Sequence, residues 1–276
     1  MLPRAKKSFG QNFLVDETAV QKIIQAAEIK KGETVFEIGP GTGTLTQALV
    51  DAGARVIAIE ADKDLIAPLK KRFGDRIELI YGDILDSVIL NPSTTLRVNS
   101  VKDLLDSRSF GLRPQDDSGG DFSFKLISNI PYNITSPILE RFLTSSPRPS
   151  RMVLMVQKEV ADRITAKPPN MSLLSVVCQI YAKCERVTIV KAGAFRPIPK
   201  VDSAIIRLEL YRPSHPALQG KDPEKVISIA KKGFSSKRKQ LKSNLGQHIA
   251  EKLEQIELNP KIRAQELTVE NWIRLL

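Results

Sequence analysis

Apolar and polar positions along this chain switch repeatedly between a period of two and a period near 3.6, and the switches come in order. "DETAVQKIIQAAEI" opens with Asp16 as an N-cap and repeats Val20, Ile23, Ile24 and Ala27 at helical spacing. "TVFEI" (34 to 38) is a short apolar run that ends in glycines, and "TLTQALVDAG" after it places Leu45, Ala48 and Leu49 on one helical face. "RVIAIE" (55 to 60), "DKDLIAPLKKRF" and "IELIYGD" (77 to 83) repeat the strand, helix, strand sequence. Further strands are predicted at "FKLIS", "RMVLMVQ" and the pair "RVTIV" and "AIIRLEL", with helices near 136–144, 158–166 and 172–182. Strands alternating with helices imply right-handed βαβ units, and so an α/β fold with a doubly wound, mostly parallel sheet, closed here by an antiparallel hairpin. Ligands of such a sheet bind at the carboxyl ends of the strands.

The pattern changes after Pro213. "RPSHPALQGKDP" reads as a Pro-rich connector, and "EKVISIAKKGF", "KQLKSNLGQHIAEKL" and "TVENWIRLL" read as helices. The expected division is therefore an α/β domain over 1–211 and a small all-helical domain over 212–276. Residues 86–121, ending in "FGLRPQDDSGGD", are polar and turn-rich; they are expected to form a mobile insertion in which "VKDLLDS" makes a short helix.

Composition narrows the function classes. The 276 residues are 42% hydrophobic and 26% charged, ordinary for a soluble globular protein, and no apolar run approaches the ~18 residues of a membrane span. The basic N-terminal stretch "MLPRAKKSFGQNFL" lacks the apolar segment of a secretory signal, so a cytoplasmic protein without membrane contact is expected. Cys178 and Cys184 match neither a redox CxxC nor a metal knuckle, and with His215 and His248 as the only histidines no metal site is expected. A net charge of +11 is the one anomaly, and it points to a polyanionic partner, most simply nucleic acid. A monomer is the default expectation.

Chemistry concentrates at predicted strand ends. In "FEIGPGTGTLT", Gly39, Gly41 and Gly43 occupy the turn between first strand and helix, where glycine permits positive φ and close approach to a ligand. The residue that would complete a dinucleotide fingerprint is Thr44, so the pattern is the GxGxG form that suits an amino acid joined to a nucleoside. Such a turn also occurs for purely structural reasons. Glu60, at the end of the next strand, can accept from both ribose hydroxyls, and Asp83, after the third, from an adenine amino group. After the fourth strand comes "NIPY". The Asn129 side-chain oxygen and the carbonyl just before Pro131 can both accept from an adenine N6 amino group, favouring a pyramidal nitrogen whose lone pair is free to attack. Pro131 stiffens that carbonyl, and Tyr132 can stack on a base. Lys231, Lys232, Lys237, Arg238, Lys239 and Lys242 form a run without an acid among them; on a helix they would cover much of the circumference and contact phosphates.

These motifs together resemble the ribosomal RNA adenine N6,N6-dimethyltransferases, which modify two adjacent adenosines near the 3′ end of small-subunit rRNA. "QNFL" resembles that family's N-terminal donor-contacting motif, "EIGPGTGTLT" its glycine loop, "GDIL" its adenine-contacting acid and "NIPYNITSPIL" its target-base motif. "FRPIPKVDSAIIRL" resembles the segment whose aromatic, here Phe195, packs against the base opposite Tyr132, and "FSSKRKQLKSNL" the basic helix of the C-terminal domain. The resemblance implies a Rossmann-like class I methyltransferase domain followed by a helical RNA-binding domain, S-adenosyl-L-methionine as cofactor, and small-subunit rRNA or a pre-assembled small ribosomal subunit as partner. It implies donor contacts from Gln11, Asn12, Leu14, Gly39, Gly41, Gly43, Glu60, Asp83 and Asn129, and a target-base site of Asn129, Pro131, Tyr132 and Phe195. The insertion after "GDILD" is longer than the family pattern. Two alternatives stay open: a large-subunit rRNA adenine N6-methyltransferase of the resistance type, and a non-catalytic assembly or transcription factor on the same fold.

Overall fold

The computed structural model describes residues 3–85, 89–90, 97–98, 124–144, 148–211, 218 and 220–276. Its main sheet has seven strands: β2 (Thr34–Ile38), β3 (Arg55–Glu60), β4 (Ile77–Tyr81), β7 (Phe124–Asn129), β8 (Arg151–Gln157), β9 (Ala182–Val190) and β11 (Ser203–Leu210), in the order β4-β3-β2-β7-β8-β11-β9. The pairs β4–β3, β3–β2, β2–β7 and β7–β8 are parallel, and β11 runs antiparallel to β8. The two strands expected as a closing hairpin are adjacent, with the later one, β11, on the inside. Strands β3, β7 and β8 are buried over nearly their whole length, as expected for strands covered on both faces. Edge strand β9 is largely exposed and carries Lys183, Glu185 and Arg186, charges that discourage edge-to-edge pairing.

From β2 the chain goes to β3 on one side, while β7 lies on the other. That reversal makes a topological switch point, and the crevice at the carboxyl ends of β2 and β7 is where a ligand of this sheet belongs. The helices that follow the strands are α2 (Thr44–Asp51), α3 (Lys63–Phe73) and α4 (Thr135–Thr144); α1 (Glu17–Ala27) precedes β2 and is capped by Asp16, which accepts from the Ala19 N–H. A short ladder of β1 (Phe13–Leu14) with β10 (Phe195–Arg196) pairs Phe13 with Arg196 and Leu14 with Phe195. Of the expected insertion, only β5 (Ile89–Leu90) and β6 (Arg97–Val98), an antiparallel pair, are described; the "VKDLLDS" helix and the rest of 86–121 lie outside the described residues. So do residues 212–217 and 219 of the connector.

The chain forms two compact units, Met1–Lys158 with Glu185–Leu210, and Glu159–Cys184 with Tyr211–Leu276. This differs from a division at residue 211: α5 (Lys158–Ile164) and α6 (Leu173–Tyr181) fall almost wholly in the second unit. The reason is that α6 packs on α7 (Pro223–Gly233) and α10 (Val269–Arg274), burying Val176 and Ile180 where the C-terminal helices need an apolar partner. Trp272 is fully buried there, and Gly233 makes room for it: a Cβ on Gly233 would stand 2.4 Å from the Trp272 ring. The helix expected over 239–253 is two, α8 (Leu241–Leu245) and α9 (Ile249–Gln255), because Gly246 takes φ +103° between them. Among the described residues no helix is long and apolar enough to cross a membrane, and no three His, Cys, Asp or Glu side chains gather as metal ligands.

Candidate active site

A cavity of about 240 Å³ opens at the switch point of the first unit, walled by residues 8–14, the glycine turn after β2, Glu60 and Ala61 after β3, Gly82–Ile84 after β4 and Asn129–Ile134 after β7. Four consecutive elements of the parallel half thus deliver their loops to one place. Gly41, at φ +60°, turns its N–H toward β3 and donates to Glu60 Oε2 at 3.1 Å, and the Asp62 N–H donates to Glu60 Oε1 at 2.8 Å. The Glu60 carboxyl is 5% exposed; burial pushes it above the ordinary carboxylate range, with the backbone donors pulling partly the other way. Each oxygen retains a lone pair for a further donor. Asp83 sits at the exposed rim, where its Oδ1 accepts from the Leu85 N–H at 2.9 Å.

Gly39 and Gly41 line the cavity, and Gly43 does not. Gly43 is the residue before α2, and its Cβ would lie 2.5 Å from the Phe73 ring, so its glycine serves the close approach of α2 and α3. Sequence pattern cannot tell these two uses of glycine apart.

The N-terminal segment closes one side. Gln11 lines the cavity, but its amide is committed to the framework: Nε2 donates to Asp62 Oδ2 at 2.8 Å, and Oε1 accepts from the Lys6 N–H at 2.7 Å. Lys6 Nζ bridges Asp62 (2.5 Å) and Asp64 (2.6 Å). Burial alone would raise the Asp62 carboxyl; the bonds from Lys6 and Gln11 bring it below its ordinary value instead. Asn12 uses its side chain on the Gly10 carbonyl at 3.2 Å, and its own carbonyl accepts from Asn129 Nδ2 at 3.2 Å. That last bond orients the Asn129 amide with its oxygen left over, and the oxygen has no partner among the described residues. Leu14 is buried in the cavity wall.

Tyr132 and Pro131 line the cavity, with Pro131 at φ −54° and the Tyr132 ring half-buried. The Tyr132 hydroxyl lies 2.6 Å from Ser203 Oγ on β11, and burial raises its pKa. Ser203, fully buried, therefore positions the ring; the only hint in the sequence was a serine interrupting the start of an apolar strand. Phe195 departs from expectation. It is 0% exposed, paired with Leu14 in the β1–β10 ladder, and does not line the cavity, because that ladder carries it into the core.

Glu37 was passed over by the sequence reading and lies in the cavity floor, 2% exposed, accepting from Thr46 Oγ1 at 2.7 Å. Its signal was a charge inside "TVFEI", a strand buried on both faces. Burial pushes its pKa from 4.5 to about 8. Because the folded value is the higher one, its stabilising contribution is complete below pH 4.5 and is lost as the pH rises through about 8. The unfolding free energy of wild type relative to Glu37→Gln is expected to fall by about 1.4 kcal/mol per pH unit across that window. Denaturant titrations of both proteins from pH 5 to 8 measure this, and a constant difference would mean an ordinary carboxylate.

In the second unit the six cations do not share one helix. Lys231 and Lys232 end α7, Lys237, Arg238 and Lys239 occupy the turn after it, and Lys242 is in α8. Asn244 holds the corner, its Nδ2 donating to the Gly233 carbonyl at 2.6 Å and the Ser236 carbonyl at 3.2 Å. All are exposed except the half-buried Lys242, and none is in a salt bridge with a described residue.

Comparison with known proteins follows the same lines. The family described as "Ribosomal RNA adenine dimethylase" matches residues 3–276. "Ribosomal RNA small subunit methyltransferase A" of Rippkaea orientalis is 38% identical over 99% of this chain and 96% of its own, and that of Nostoc punctiforme 39% identical over 99% and 94%. Among solved structures, a dimethyladenosine transferase from Plasmodium falciparum superposes with a TM-score of 0.73 at 26% identity, covering 96% of each chain. The 23S rRNA methyltransferase ErmE does so with 0.71 at 27%, covering 96% of this chain and 98% of its own.

Proposed function

Because this chain belongs to the ribosomal RNA adenine dimethylase family, we propose that it transfers methyl groups from S-adenosyl-L-methionine to N6 of two adjacent adenosines in a 3′-terminal hairpin loop of small-subunit rRNA. The product is N6,N6-dimethyladenosine, made in the cytoplasm during ribosome biogenesis. One observation carries the reading: the buried Glu60 carboxyl, held by the Gly41 N–H, shares a single cavity with Asn129, Pro131 and Tyr132.

The residues present fit the donor. A buried carboxylate at a strand end with spare lone pairs suits ribose hydroxyls, Asp83 at the rim suits the adenine amino group, and the Gly39–Gly41 backbone suits the amino-acid portion. When bound, the donor supplies an electrophilic sulfonium methyl. On the acceptor side, the Asn129 oxygen and the Ile130 carbonyl, stiffened by Pro131, accept the N6 hydrogens and turn the nitrogen lone pair toward the methyl. Tyr132, anchored by Ser203, stacks on the flipped-out base. Among the described residues the cavity wall offers no histidine or cysteine, and catalysis rests on proximity and orientation, with the N6 proton passing to water. Lys231, Lys232, Lys237, Arg238, Lys239 and Lys242 give phosphate affinity, and RNA shape gives selectivity. The enzyme acts as a monomer on small-subunit rRNA or on the assembled subunit. The curated relatives at 38–39% identity are named for the small subunit, which favours this substrate over large-subunit RNA.

The test is transfer of labelled methyl to small ribosomal subunits lacking the modification, followed by nucleoside analysis. Dimethyladenosine at adjacent positions is the expected product. Label confined to large-subunit RNA, or donor binding with no transfer, would overturn the assignment.

A further inference from the structure

Within the first unit, the segment from Phe195 to Ser203 is fastened at both ends to the cavity. Phe195 and Arg196 pair with Leu14 and Phe13, and Ser203 holds the Tyr132 hydroxyl at 2.6 Å. Asp202 braces it further, accepting from the Ala192 N–H at 3.1 Å and from Lys191 Nζ at 2.8 Å. Between these fastenings the chain exposes apolar side chains: Ile198 is 63% exposed and Val201 45%, the two highest values among the exposed large hydrophobics. Pro197 and Pro199 flank Ile198, so its backbone has little freedom left to lose on binding.

A single exposed aliphatic residue is common on protein surfaces. An aliphatic residue locked between prolines, on a segment fastened at both ends to residues of the cavity wall, is a built projection. Its flanks point to the occupant: Lys191 is neutralised by Asp202, but Arg196 and Lys200, on either side of Ile198, are exposed cations with no salt bridge to a described residue. An apolar tip within basic flanks fits a nucleic acid whose phosphates meet the cations and whose bases meet the tip.

We propose that Ile198 is an apolar wedge that packs against the RNA base next to the target adenosine, keeping it from restacking on the flipped-out nucleotide, with Val201 supporting the contact. This rests on the rRNA methyltransferase reading above. Closing a flipped base back into its stack competes with capture in the cavity, and an aliphatic group in the vacated step removes that competitor. Ile198 is then a specificity residue for substrate capture and takes no part in donor binding.

Steady-state transfer to unmodified small subunits, with donor affinity measured by calorimetry, tests this with Ile198→Ser and Ile198→Leu. The serine variant is expected to raise KM for subunits about tenfold, with kcat within about twofold and donor affinity unchanged, and leucine is expected to restore wild-type KM. Equal KM for wild type and the serine variant overturns the wedge while the methyltransferase reading stands. A serine variant that loses donor affinity as well also overturns it, since that marks a structural role. No transfer by wild type would overturn the underlying reading instead.

Discussion

Replacing Asn129 with alanine is expected to lower the single-turnover rate of methyl transfer by about a thousandfold while weakening donor binding by less than about tenfold. The side chain stands at the end of β7, and its Nδ2 is bound to the Asn12 carbonyl at 3.2 Å, which leaves the oxygen to accept from the adenine amino group. Alanine removes the acceptor to which the proposed mechanism assigns the attack geometry. It also frees the N-terminal segment at Asn12, the source of the smaller loss in donor binding. Quench experiments with saturating donor and unmodified subunits, beside calorimetry of donor binding, separate the two effects. A rate within tenfold of wild type would remove Asn129 from the chemistry.

Glu60→Ala should show the opposite split. In the proposed donor site, loss of the carboxylate removes two charge-assisted bonds to the ribose, and it strands the Gly41 and Asp62 N–H groups that it now accepts from. Donor affinity is expected to fall at least about a hundredfold, and transfer at saturating donor much less. Glu60→Gln preserves the shape and should recover part of the loss. If calorimetry shows unaltered donor affinity in a folded Glu60→Ala protein, the cradle after β2 is not the ribose site.

Much of this was legible in the chain. Every strand of the main sheet falls where an apolar run was read, and Asp16 caps α1 as its position before the periodic residues implied. The chemical residues at the ends of β2, β3, β4 and β7 converge because parallel βαβ connections place every strand's carboxyl end on the same side. The chain was silent where one residue type has two uses: Gly43 makes room for Phe73 and Phe195 sits in the core, while the basic run, expected on one helix, turns a corner at Gly233–Gln240.

Periodicity, glycine placement and the order of strand-end acids are written locally, so the chain alone was enough for the fold class, the location of the cavity and the placement of "NIPY" in its wall. Folding in three dimensions decided the rest. It bound Gln11 to Asp62 across 51 positions and Tyr132 to Ser203 across 71, raised the pKa of Glu37 by burying it, and grouped α6 with the C-terminal helices. Those outcomes depend on which surfaces meet, and on how much water each contact excludes. Neither quantity has a counterpart in the spacing of residues along the chain.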